Sequence, residues 1–273
     1  EKDSEDTNVG NGGNDVGNNA TAVNNSSDDE ADKGENEVAP QPAATTAVAR
    51  IGEAEYATLP AAAAKVAQIG TVKYESLEAT INAVQNDQTI KMLANVTLNE
   101  MLTIDCGKTF TLDLNGCKII NNSRTLFNLE RTKLTVQDTS SGADGMLYGG
   151  FNGIIVDKDS TLTVKSGTIK GDNSAVVNSG TVNIEDTANL QRNITYSINC
   201  MSGSIVNMTG GTVFDIATTE GKYDFTVNIS GGEVTRDLYA TTVTGGKIGH
   251  LTLIGENNAI SNATITDSIK WLN

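Results

Sequence analysis

Between Phe110 and Leu253 one short apolar–polar–apolar phrase is written seven times: Leu112-Asp113-Leu114, Leu134-Thr135-Val136, Leu162-Thr163-Val164, Val182-Asn183-Ile184, Val206-Asn207-Met208, Val227-Asn228-Ile229 and Leu251-Thr252-Leu253. The last members of the triplets, Leu114, Val136, Val164, Ile184, Met208, Ile229 and Leu253, follow one another at similar though unequal steps. Self-similarity at such a period marks a repeat architecture. Successive side chains of a strand face opposite ways, so the outer residues of each triplet share one face and the middle residue takes the other. The outward column then reads Asp113, Thr135, Thr163, Asn183, Asn207, Asn228, Thr252. The inward positions are Leu, Val, Ile and one Met.

Four triplets are soon followed by a turn signal and another apolar position: Asn115-Gly116 before Ile119, Ser166-Gly167 before Ile169, Gly210-Gly211 before Val213, Gly231-Gly232 before Val234. Glycine supplies the backbone freedom of a sharp corner, so the chain turns often between short strands. The period is too short for a propeller blade and lacks paired helical periodicities. It predicts an all-β parallel β-helix of about seven to eight coils, each stacked ~4.8 Å on the last, with apolar side chains inside and Asn and Thr columns outside. A sandwich of evenly spaced strands is the competing all-β reading, but it has no reason to keep one triplet at one spacing.

Three segments follow from this pattern. Residues 1–46 are polar and acidic with almost no large apolar residue, a composition that cannot offset its ordering entropy; they read as a disordered leader or spacer. Residues 47–88 hold an imperfect duplication, in which Val48 to Leu59 matches Val66 to Leu77. Each copy reads as strand, turn and helix start, with Pro60 suited to the first turn of an Ala-rich helix. In the second copy Ser76 can cap a helix whose Leu77, Ile81 and Val84 share one face. An open solenoid end needs covering, and residues 72–86 are the expected cap helix. Residues 89–273 form the repeat domain.

Composition narrows the partners. Net charge is −15, with 11 acids and 2 bases in residues 1–40 (net −9) and 23 acids and 17 bases in the rest (net −6). No basic stripe exists to release counterions, which argues against nucleic acid and anionic membranes. No apolar run approaches the ~18–20 residues of a membrane span. Cys106, Cys117 and Cys200 make no disulfide framework; a Cys106–Cys117 bridge and buried free thiols are the two readings. No CxxC supports zinc or redox chemistry, and no cofactor is implied.

The run Ile69-Gly70, Tyr74, Ser76-Leu77, Ala79, Ile81, then Leu93-Ala94, Val96-Thr97-Leu98, Leu102-Thr103-Ile104, Gly107-Lys108 and Leu112-Asp113-Leu114-Asn115-Gly116 resembles the opening of large exported surface proteins of Gram-positive anaerobes. The likeness is close over residues 66–120 and generic afterwards. It implies a right-handed, pectate-lyase-like β-helix at the cell surface or outside the cell, adhesive or carbohydrate-facing, without implying an activity.

The catalytic equipment of that class is absent. The resembled hydrolases carry Asp-Asp, Gly-His-Gly and Arg-Ile-Lys motifs. Here the one Asp-Asp, Asp28-Asp29, lies in the leader, and the one histidine sits in Gly249-His250-Leu251. Asp157, Asp159 and Asp172 are the best calcium candidates, yet three carboxylates fall short of the six to eight oxygens calcium takes. His250 lacks a nucleophile partner in sequence and no GxSxG occurs. No catalytic or metal residue is assigned. Binding is expected at loops, in Ser140 to Gly145, Asp186 to Asn193 and Thr218 to Asp224. As a sugar platform the candidates are Tyr148 and Phe151, two aromatics in a Gly-rich stretch; coil packing is their other use. The expectation is a non-catalytic, exported surface module that binds a glycan or host ligand. A divergent polysaccharide-active enzyme and a plain spacer are the alternatives.

Overall fold

The computed structural model describes residues 47–51, 54–57, 64–221, 224–255 and 258–272. The leader 1–46 and the Ala-rich helix expected after Pro60 lie outside the described residues. The chain divides into two units, residues 1–59 and 60–273. In the first, Ala47–Ile51 and Ala54–Ala57 pair antiparallel, Ala49 with Tyr56 and Ile51 with Ala54. The second unit repeats that register at the matching positions of the duplication: Ala67–Ile69 and Val72–Tyr74 pair antiparallel, Ala67 with Tyr74 and Ile69 with Val72. Each copy therefore pairs two short strands where one strand and a turn were expected; the helix start expected next is present in the second copy at Leu77, and that of the first copy lies outside the described residues. The Gly at the corner of the second, Gly70, has φ +57, a region costly for other residues.

After the second hairpin comes one helix, Leu77–Ala83, shorter than the 72–86 expected because Val72–Tyr74 is strand. Ser76 caps it as expected, its hydroxyl accepting from the Ala79 amide at 3.1 Å. Leu77, Ile81 and Val84 are buried in the common core.

From Thr89 onward the protein is all-β and its strands pair in parallel. The chain visits three columns of strands in turn, so up to Thr212–Val213 each strand pairs in parallel with the third strand after it. From Ile216–Ala217 on, where second and third columns merge into single long strands, the partner is the second strand after. The first column runs through Thr89–Met92, Thr109–Asp113, Lys133–Gln137, Thr161–Val164, Thr181–Ile184, Ile205–Met208, Thr226–Ile229, Thr242–Val243 and Ala259–Ile260. The second runs through Val96–Thr97, Lys118–Asn121, Met146–Gly149, Thr168–Gly171, Asn189–Arg192 and Thr212–Val213. The third runs through Leu102–Asp105, Phe127–Glu130, Asn152–Val156, Ser174–Asn178, Ile198–Cys200 and Ile216–Ala217. Three last strands, Glu233–Ala240, Lys247–Ile254 and Thr264–Leu272, each continue through both the second and third columns.

Five of the seven triplets stack in the first column with the expected partners, Val136 on Val164, Ile184 on Met208 and so on. Two do not. Leu134-Thr135-Val136 pairs with Phe110-Thr111-Leu112, so the first rung is framed on Phe110 and not on Leu112. Phe110 to Leu114 alternates throughout, and both frames fit it. Asp113 thus falls past the paired triplet, at the end of its strand, where the corner covers it: it is 4% exposed instead of standing open in the outward column. Its carboxylate accepts from the Asn115 and Thr139 amides at 3.0 and 3.1 Å, closing the corner between the first and second columns. Leu251-Thr252-Leu253 lies in Lys247–Ile254, with Thr252 between Tyr239 and Lys270, and the first-column rung of that round is Thr242–Val243.

Corners between the second and third columns are tight. Gly149 and Gly171 pair in register there, and a Cβ would come within 1.8 Å of the Asn152 carbonyl at the first and 1.9 Å of the Ser174 carbonyl at the second. Outside the first column the Asn side chains form a ladder. Asn228 donates to Asn207, Asn207 to Asn183, and Asn183 to the Thr163 hydroxyl, each at 3.1 Å. Cys106, Cys117 and Cys200 are free thiols. Burial pushes the Cys200 thiol up to about 12, which leaves it an inert core residue.

Candidate functional site

The strands set an outward register on the second column. Ile120, Tyr148, Lys170 and Gln191 are directly paired from rung to rung. Val213 pairs with Leu190 and Val234 with Val213, which puts Phe214 and Thr235 next in the same line. Where that line meets the third column, a depression of about 420 Å³ opens, lined by Asn189, Gln191, Arg192, Thr212, Phe214 and Thr235 over Leu190.

Phe214 is its apolar wall, 41% exposed although it follows a fully buried Val213. Two guanidiniums flank the ring, Arg192 at 4.9 Å and Arg236 at 5.9 Å from its centre. Arg192 is anchored from below. Its Nε and Nη2 donate to the Asp215 carboxylate at 3.1 and 2.7 Å, and Nη1 to the Ile194 carbonyl at 3.1 Å. Asp215 is wholly buried and its second oxygen accepts from the Ser197 amide at 2.6 Å. A buried carboxylate satisfied on both oxygens fixes the arginine and, through it, the attitude of the ring. Arg236 is more open and pairs with Asp237 at 3.2 Å.

Of the remaining lining groups, Thr235 donates to the Phe214 carbonyl at 3.5 Å and three others are unspent. The side chains of Asn189, Gln191 and Thr212 engage no hydrogen-bond partner within the described protein, and all three stand half-buried or exposed around Phe214. An exposed apolar ring beside two free amides and a free hydroxyl is suited to a ring-shaped ligand with many hydroxyls, which stacks on one side and hydrogen-bonds at its rim.

Tyr148 lies on the same outward line but is tied down. Its hydroxyl donates to Asp172 at 3.0 Å, and the Lys170 ammonium sits 6.0 Å from its ring centre. Burial, and then the Asp172 carboxylate, push its phenol above the ordinary range. Phe151 is 54% exposed and lines a different depression of about 290 Å³ with Met101, Ser123, Arg124 and Thr125. The two aromatics singled out in sequence thus belong to two surfaces. Asn189, Gln191 and Arg192 fall within the expected Asp186 to Asn193 segment, as strand and not loop. Phe214 and Arg236 escaped the sequence reading, though a signal existed: Arg192, Phe214 and Arg236 follow one another at equal steps, one repeat each.

Other candidates are dispersed or spent. Asp157 accepts from the Lys158 amide at 2.8 Å, whereas Asp172 accepts from Tyr148 and from Asn193. Among the described residues no group of three or more His, Cys, Asp or Glu side chains is placed to hold a metal. His250 bridges two residues of the last strand, with Nδ1 at 2.9 Å from the Ser268 hydroxyl and Nε2 at 2.9 Å from Asp267. Serine, histidine and aspartate meet, but on exposed strand surface and with the ring turned opposite to a nucleophile triad, where the serine faces Nε2. The cluster reads as a cross-strand latch. No described helix is long and apolar enough to cross a membrane. No family model, curated protein or solved structure matches the chain.

Proposed function

We propose that this protein is a non-catalytic parallel β-helix, right-handed and displayed at a cell surface or outside the cell, that binds carbohydrate at the Phe214 depression. The carrying observation is the combination at that depression: an exposed ring held by an anchored arginine, beside Asn189, Gln191 and Thr212 side chains that have no hydrogen-bond partner among the described residues. The three parallel columns support the β-helix reading, and the resemblance of residues 66–120 to exported surface proteins supports the location. The rigid strands supply a preformed site, which lowers the ordering cost of a weakly held sugar.

A glycan and extracellular-matrix array probed with the full chain tests this. The expected result is a reproducible glycan signal that Phe214→Ala abolishes while the thermal melt stays put. A blank array with folded protein overturns the binding role and leaves a structural spacer.

A further inference from the structure

The depression at Phe214 is one end of a longer feature. On the outward line of the second column the side chains run Tyr148, Lys170, Gln191, Phe214 through four successive rungs. Neighbouring rungs are ~4.8 Å apart, so the two aromatics stand roughly 14 Å apart along the stacking direction. A parallel outward line carries Met146, Thr168, Asn189 and Thr212 beside them. Between the aromatics Gln191 and Asn189, and beside Phe214 Thr212, leave their polar groups unspent, and Lys170 brings a cation half-exposed beside the Tyr148 ring.

We infer that this face is a track for one linear glycan chain lying along the stacking direction, with Phe214 and Tyr148 as platforms for its two ends. The inference rests on carbohydrate binding at Phe214 and adds the length and orientation of the ligand. An extended chain of pyranose rings advances by nearly one rung spacing per sugar, so four sugars span Tyr148 to Phe214 and successive hydroxyls meet successive rungs. The Tyr148 hydroxyl is already donated to Asp172 and Lys170 sits over one side of the ring, which leaves the opposite ring face as its contact and holds that face in place. A compact branched or terminal sugar epitope would use the Phe214 depression alone and leave the Tyr148 and Lys170 rungs without a role. Peptide, with its shorter step and few hydroxyls, fits neither the spacing nor the polar lining.

The test is a length series. Immobilised full chain is titrated with linear cello-, xylo-, manno- and chito-oligosaccharides from the monosaccharide to the hexasaccharide. For the series that binds, affinity should climb to the tetrasaccharide and level off. Tyr148→Ala should lower tetrasaccharide affinity about tenfold, the size of one aromatic contact, and leave the disaccharide unchanged. Phe214→Ala should remove binding at every length. Affinity that is already maximal at the disaccharide overturns the track while leaving the Phe214 site standing. Absence of binding by any series to folded protein overturns the carbohydrate reading itself. The length dependence of the unsubstituted protein decides the matter even if a variant folds poorly.

Discussion

The first and last described rounds of the stack are covered differently. At the first end, the helix Leu77–Ala83 and the antiparallel strand Ala67–Ile69 lie over the opening rungs, and Ile69, Leu77 and Ile81 are buried. At the other end the inward positions are bare. Ile269 pairs with Leu251 and Trp271 with Leu253, yet Leu251 and Leu253 are buried while Ile269 and Trp271 are 48% and 60% exposed. Along the way the rungs also change. Early rounds keep three short strands with polar corners between them, and late rounds run eight or nine residues straight through two columns. Stability in the early rounds thus depends on corners, and in the last rounds on strand pairing. Hydrogen exchange should show protection falling from the middle rounds toward Thr264–Leu272.

Substitutions sharpen the contrast, beginning with the largest effect. Asp215→Ala, in the middle of the stack, strands Arg192 at 12% side-chain exposure. It should cost about 3–5 kcal/mol in urea melts and abolish glycan binding through the loosened Phe214. Gly149→Ala puts a methyl against the Asn152 carbonyl and should cost about 1–3 kcal/mol, with loss concentrated in the early rounds. Asn207→Ala removes one rung of the amide ladder and should cost about 1 kcal/mol. Trp271→Ser at the bare end should change stability by no more than about 0.5 kcal/mol and reduce self-association on concentration. An equal response at Asp215 and Trp271 would erase the distinction between the two regions.

Acid separates them too. Asp138 sits in the first-to-second-column corner. Burial opposes its ionisation, but the amides of Gly145, Ser140 and Gly116, which donate to it at 2.6, 3.1 and 2.8 Å, outweigh this and hold its carboxyl below the ordinary range. A depressed carboxyl lends stability that is complete above the unfolded value, about 3.9, and is lost as pH falls through the lower folded value. Early-round protection should therefore decline only below about pH 4, and Asp138→Asn should flatten that decline.

The period and the inward residues of the middle rounds were legible because Leu, Val and Ile recur where a narrow core demands them. The frame at Phe110 to Leu114 was not, since a strictly alternating run fits two registers equally well. Leu251 to Leu253 imitates a first-column triplet because any strand with one buried face has that pattern; only knowing that the preceding round had shortened would have reassigned it. The Phe214 depression was hidden by the unequal steps between rounds. Corner residues align only after each insertion has been placed, even though Arg192, Phe214 and Arg236 keep an even beat.

Pairing each strand with its counterpart one round later has a kinetic consequence. Every long-range contact along the stack closes a loop of one round, so no rung waits for distant parts of the chain to find each other. Loop-closure entropy enters as the same modest term each time, in contrast to sandwiches, whose widely separated strands must meet early. Folding can begin wherever two rounds first dock and then advance rung by rung, each new strand templated by an edge already formed. A nucleus at the helix-covered end would let the chain fold in the order in which it is made.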